Sequence, residues 1–131
     1  MPTVERLTVS ELAPPPGYAH VAVAASTRLV LTAGAVPLDG EGNLVGAGDV
    51  RLQARQTLDN LMRQLEAAGA SGDDVLKTTV YVASTDRADL FAVWEEVQQS
   101  PIAAAASTLL GVALLGYPEQ VVEIEAIAML A

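Results

Sequence analysis

The spacing of apolar and polar residues changes along this chain and marks out successive elements. Residues 3–9 alternate weakly, as an edge strand does. Pro14-Pro15-Pro16-Gly17 follows, where fixed φ and missing amide donors exclude both helix and sheet ladder, so Tyr18 is delivered from an extended loop. HVAVAA (20–25) and RLVLTA (28–33) read as strands joined by a turn near Ser26 and Thr27. The run Asp39-Gly40-Glu41-Gly42-Asn43 is polar and Gly-rich. It lacks the spacing and terminal Glu of a calcium loop and reads as an ordinary connection.

The period then shifts to 3.6. Ala54, Leu58, Leu61, Met62, Leu65 and Ala68 form a stripe that predicts a helix over 50–68, with Asp49 as its N-cap and Gly69 as its end. After a turn at 71–74, VLKTTVYVA (75–83) predicts a strand rich in β-branched residues. Asp86 caps a second expected helix running through Gln99, with Leu90, Phe91, Trp94 and Val97 as its apolar face.

The stretch SPIAAAASTLLGVALLGYP (100–118) mixes a helix-favouring alanine run with strand-favouring residues. The conflict resolves as a boundary, with a strand entered at about Ser107 and running to Leu114, and a last strand over 121–129 after the Gly116-Tyr117-Pro118 turn. The predicted order is β-β-β-α-β-α-β-β. It describes an α+β fold with both helices on one face of a mixed sheet, whose other face self-association would cover.

A chain of 131 residues fits one domain spanning 1–131, and its 51% hydrophobic content supplies a core made mainly of Ala, Val and Leu. The formal net charge of −9 opposes binding to phosphate backbones, so no nucleic-acid partner is expected. With no cysteine, disulfides, thiolate metal sites and a cysteine nucleophile are excluded, and a cytoplasmic location is expected. The most apolar stretch, 102–122, is broken by Gly111, Gly116, Pro118, Glu119 and Gln120, so no membrane span is expected.

Few residues offer chemistry. His20 is the sole histidine and has no clustered carboxylate, which favours a structural or surface role over metal ligation. Glu123 and Glu125 lie two apart in a strand and so share a face with Val121, Ile127 and Met129. Two carboxylates there suit a general acid/base or a water-holding group, but the residue types alone favour an interface ion pair or a solvated strand end. Lys77 could be a desolvated nucleophile, but a solvated strand-start lysine is the commoner case. Phe91 and Trp94 at helical spacing fit core packing better than a stacking platform.

Three segments taken together resemble one family: LTAGAVPLDGEGNLVG (31–46), DVRLQARQTLDNLMRQLEAAGASGDDVLKTTVYVA (49–83) and GYPEQVVEIEAIA (116–128). They are similar to the YjgF/RidA family, the reactive intermediate deaminases, also known as L-PSP endoribonucleases. The resemblance implies a chorismate-mutase-like fold assembled as a homotrimer around a barrel core, with small-molecule clefts between subunits. It also implies hydrolysis of enamine or imine intermediates without metal or cofactor. Carried over position by position, it makes Tyr18 the loop tyrosine, Gly34 the glycine after the third strand, and Glu123 the water-orienting carboxylate. Phe91 falls near a family asparagine. Ser107 (or Ala106, one residue earlier) falls where the family carries an arginine that clamps the substrate carboxylate, and no arginine follows Arg87 in this chain. With Leu109 beside it, the expected ligand set is Tyr18, Gly34, Phe91, Ser107 and Leu109. The expectation is a small-molecule binder that is not a competent imine deaminase. The alternatives are a deaminase with a substitute cation (Arg28, Arg51 or Lys77) and an endoribonuclease.

Overall fold

The computed structural model describes residues 4–11, 14, 16–24 and 28–130. The expected turn at Ser26 and Thr27 and the central proline Pro15 lie outside them. Eight regular elements follow in the predicted order: β1 (Val4–Leu7), β2 (Val21–Ala24), β3 (Arg28–Leu31), α1 (Val50–Ala67), β4 (Val75–Val82), α2 (Arg87–Gln98), β5 (Ala106–Gly111) and β6 (Val122–Leu130), with a single 3-10 turn at Gly72–Asp74 before β4.

Both helices start where a carboxylate can accept an orphan amide. Asp49 accepts from the Leu52 N–H and Asp86 from the Ala88 N–H. β3, β6, β4 and β5 lie in that order in a four-stranded sheet. β4 and β5 run parallel, joined by the α2 crossover, and the other pairs are antiparallel. β1 and β2 form a separate antiparallel pair rather than extending this sheet. That pair is fastened near the starts of β4 and β5. The Arg6 guanidinium donates to the carbonyls of Asp73 and Val75, and Ala19 bridges Ala106.

Both helices cover one face of the sheet. Leu58, Leu61 and Leu65 of α1 and Val93 and Val97 of α2 pack with Val80, Val82, Val122, Ile124 and Ala126 in a single core. A register shift between Val75 and Lys77 lets Val75 join the even-numbered residues of β4 on this side. None of the fully buried hydrophobic residues is aromatic. The opposite face carries Thr79, Tyr81, Glu123, Glu125 and Ile127, all half-buried, with Met129 buried at its end, and among the described residues neither helix packs on it. At the sheet edge Leu29 and Leu31 are 56% and 70% exposed.

Two expectations about element limits are corrected. β5 stops at Gly111 rather than Leu114, because its partner β4 ends at Val82 and the ladder has nothing further to pair with. The buried stripe of α2 is Ala92, Val93, Glu96 and Val97; of the expected face, Val97 is buried, Leu90 and Trp94 pack partly buried against the core, and Phe91 is exposed. Glu96 can occupy that stripe because Arg55 (3.0 Å) and Arg51 (3.4 Å) neutralise it from α1. No helix among the described residues is long and apolar enough to cross a membrane.

Candidate functional site

The expected site residues fall into two groups. The first surrounds a cavity of about 250 Å³ lined by Pro16, Tyr18, Phe91, Trp94, Ser107 and Leu109. Gly17 lets the extended arm turn into it. Its φ of 88° is left-handed, and a Cβ there would collide with the Gln98 side chain. The arm is then pinned to α2, because the Pro16 carbonyl accepts from Trp94 Nε1 at 3.2 Å and from the Gln98 side-chain amide. Tyr18 stands edge-on to Trp94, with centroids 6.0 Å apart and planes at 74°, and is backed by His20 in a similar arrangement at 6.1 Å.

The floor is β5. Ser107 is paired with Thr78 and Leu109 with Val80, so both project to the helix-covered side of the sheet. Thr78 is buried and donates its hydroxyl to Ser107 Oγ at 2.7 Å. Phe91 is 61% exposed at the cavity mouth, contrary to the expected core position, because Val93 and Val97 already fill the core face of α2.

The second group lies on the other face. Glu123 is opposite Tyr81, and Glu125 is opposite Thr79. Tyr81 donates to Glu125 Oε1 at 2.5 Å. That hydrogen bond, then burial, then the negative charges of Glu125 and Glu123 push the Tyr81 hydroxyl above its ordinary pKa. Glu123 Oε1 accepts from Gln120 Nε2 at 3.1 Å. Its Oε2 occupies space at Gly34 that no side chain could share, since a Cβ built there would lie 2.1 Å away. A hydrogen-bonded carboxylate against bare backbone can hold a water or move a proton.

Gly34 and Glu123 are therefore brought together, and so are Tyr18, Phe91, Ser107 and Leu109, but within one chain the sheet separates the two sets. The remaining candidates are committed elsewhere. His20 Nδ1 accepts from the Val9 N–H at 2.8 Å. Arg51 is bonded to Glu95 and Glu96 on the helix side. Lys77 donates to Thr108 Oγ1 at 2.6 Å, and it sits four β4 residues from the level of Glu123, roughly 13 Å along the strand. Arg28 opens β3 opposite Leu130. Asp39 caps its own loop by accepting from the amides of Asn43 and Glu41, which hold its carboxyl below the usual range. No cluster of three metal-ligating side chains occurs among the described residues.

Sequence reasoning missed two cavity residues, Trp94 and Pro16, and one residue behind the lining, Thr78. Trp94 was expected in the core. Pro16 acts through its carbonyl, which composition does not reveal. Thr78 touches the site only through Ser107. A usable signal for Trp94 was the Phe91/Trp94 pair, i and i+3, lying beside a stripe already filled by Val93 and Val97.

Residues 8–130 match the family model described as Endoribonuclease L-PSP. A RutC family protein of Pyrococcus horikoshii is 33% identical over 126 residues, covering 95% of this chain and 98% of its own. The 2-iminobutanoate/2-iminopropanoate deaminase of Salmonella typhimurium is 46% identical over 54 residues, 41% of each chain. The crystal structure of YyfB from Yersinia pestis, a conserved Rid family protein of unknown function, superposes with a TM-score of 0.92 at 33% identity, over 98% of this chain and 99% of that one. With a family-model match that spans nearly all of its length and a fold shared end to end with a Rid protein, the chain belongs to the YjgF/RidA family.

Proposed function

We propose that this family member is a cytoplasmic homotrimer that binds a small molecule in clefts between subunits and does not hydrolyse amino-acid-derived imines efficiently. One observation carries the reading: the six residues lining the cavity include no Lys, Arg or His. Ser107 stands in that lining, at the position to which the resemblance assigns the carboxylate-clamping arginine. A hydroxyl cannot neutralise a carboxylate, and losing such a charge-assisted pair costs about 2–5 kcal/mol, more than tenfold in affinity.

The two faces of the sheet support the subunit arrangement. The Ser107 cavity and the Glu123–Gly34 pair lie on opposite sides of the sheet, so one site can use both only where two copies meet. The face away from the helices, with its half-buried Tyr81 and Ile127 and the exposed edge residues Leu29 and Leu31, supplies apolar surface for that meeting. The lack of cysteine fits the cytoplasm.

A second reading, a working imine deaminase, is favoured by the 46% identity with the Salmonella deaminase over 54 residues and by the Glu123–Gly34 pairing. The two readings separate in one assay. Enamines are generated by an amino-acid dehydratase, and ketoacid release is followed with wild-type protein and with Ser107→Arg. Little acceleration by wild type and a gain of tenfold or so by the variant support the first reading. Rapid turnover by wild type establishes the second.

A further inference from the structure

Resting on the reading of this cavity as a small-molecule site, we infer that its ligand is a neutral planar ring compound bearing a hydrogen-bond acceptor, such as a ring carbonyl or ring nitrogen. The chain has one Phe, one Trp and three Tyr. The fully buried hydrophobic core uses none of them, whereas Tyr18, Phe91 and Trp94 all line this single cavity. Aromatic rings are the largest contributors to core packing, yet here three of the five line an open hollow, with Trp94 also packing against the core. Phe91 is left 61% exposed there, which favours a partner for its face.

Shape and hydrogen bonding narrow the class. Tyr18 and Trp94 meet at 74°, so they form a corner with one face and one edge, a geometry that accepts a flat ring against the face. A volume of about 250 Å³ exceeds the roughly 150 Å³ apolar cavity that holds benzene, leaving room for a substituent or a fused second ring. The Trp94 indole N–H is already given to the Pro16 carbonyl, so the tryptophan offers only its ring. Ser107 differs. Its hydroxyl lies 2.7 Å from that of Thr78, and with Thr78 as the donor of that bond its own proton is left for a ligand. A donor inside an uncharged aromatic hollow addresses an acceptor atom on the ligand. With no cation in the lining, it does not balance a carboxylate.

Trp94 is the sole tryptophan, so its fluorescence reports on this cavity directly. The probes are benzamide, benzoate, benzyltrimethylammonium and cyclohexanecarboxamide, titrated against the full chain. Saturable binding of benzamide, at least about tenfold tighter than each of the other three, is expected, from the cost of an unpaired charge or of lost ring stacking. Ser107→Ala weakens benzamide severalfold, and Phe91→Ala does the same without touching the buried core. Ser107→Arg shifts the preference to benzoate. Circular dichroism checks that each variant is folded. Tighter binding of the ammonium probe, or equal binding of the saturated amide, overturns the ring-and-acceptor assignment and leaves the clamp-less site standing. Tighter binding of benzoate by wild type overturns both. No saturable binding by any probe overturns the inference, and a cavity filled by a neighbouring copy is then the explanation to pursue.

Discussion

Ser107 and Glu123 belong to the same sheet and point through opposite faces of it. Ser107 is paired with Thr78 on the side of the helices, and Glu123 is paired with Tyr81 on the side away from them. A site built from both therefore requires the helix side of one copy and the opposite side of another.

That separation predicts complementation. Glu123→Ala and Phe91→Ala each remove one half of a composite cleft. Chains of the two kinds, unfolded together and co-assembled, regain intact clefts in about a quarter of positions if neighbours pair at random. Ligand titration of the mixture against each variant alone measures this. A mixture no better than its components would place both halves of the site within one copy, or show that one half is not used.

Gly34 and Glu123 are expected to be coupled. Gly34→Ala puts a methyl group 2.1 Å from Glu123 Oε2, so the carboxylate must move. A loss of about 1–3 kcal/mol is expected. Adding Glu123→Ala removes the clashing group, and the double variant should be more stable than Gly34→Ala alone. Denaturant unfolding of all four proteins gives the coupling energy.

Gln53 is a wholly buried polar side chain on α1 with a structural task. Its amide donates to the carbonyls of Gly46 (3.1 Å) and Glu119 (2.9 Å), and its oxygen accepts from the Val121 N–H (2.8 Å). It fixes the chain entering both α1 and β6. Gln53→Leu leaves the Glu119 carbonyl and the Val121 N–H unpaired, while the Gly46 carbonyl keeps the Asp49 N–H, at a cost of about 2 kcal/mol or more. Hydrogen exchange at Val121 should rise well beyond the global effect.

Stability should fall at both ends of the pH scale, for identifiable reasons. Hydrogen bonds from Arg55 and then its charge hold Glu96 below its ordinary pKa of 4.5, while burial opposes them. The folded state gives up this proton more readily than the unfolded state. The contribution is therefore fully present above 4.5 and is lost as pH falls through the depressed value. Glu96→Gln should flatten that acid limb in urea titrations.

Tyr81 works in the opposite direction. Its pKa is raised above 10.0, first by the hydrogen bond to Glu125. Its contribution is complete below 10.0 and disappears as pH rises through the raised value, so Tyr81→Phe should remove that alkaline limb.

The order of elements was legible because local signals carried it: Asp49 and Asp86 as caps, a 3.6-residue stripe on α1, and β-branched runs for β4 and β6. The shared face of Glu123 and Glu125 followed from the two-residue period of a strand. The face that Ser107 adopts did not, since it depends on the parallel register of β5 with β4, set by residues 29 positions away. The separate pairing of β1 with β2 depends on Arg6 reaching Asp73 and Val75, again a distant contact. Phe91 was misplaced for a different reason, while Trp94 both packs against the core and lines the cavity. A carboxylate, Glu96, holds one position of the true buried stripe, and its neutralising partners lie on another helix.

Pro16 joins the aromatic wall to α2 through one carbonyl oxygen that receives two donors. The wall is thus hung on the helix by backbone, while the Glu123–Gly34 pair is built into strand and sheet edge. Substitutions and length changes in the arm before Tyr18 can reshape what the hollow accepts without disturbing the carboxylate. In this chain the aromatic hollow and the Glu123–Gly34 pair can evolve on separate clocks.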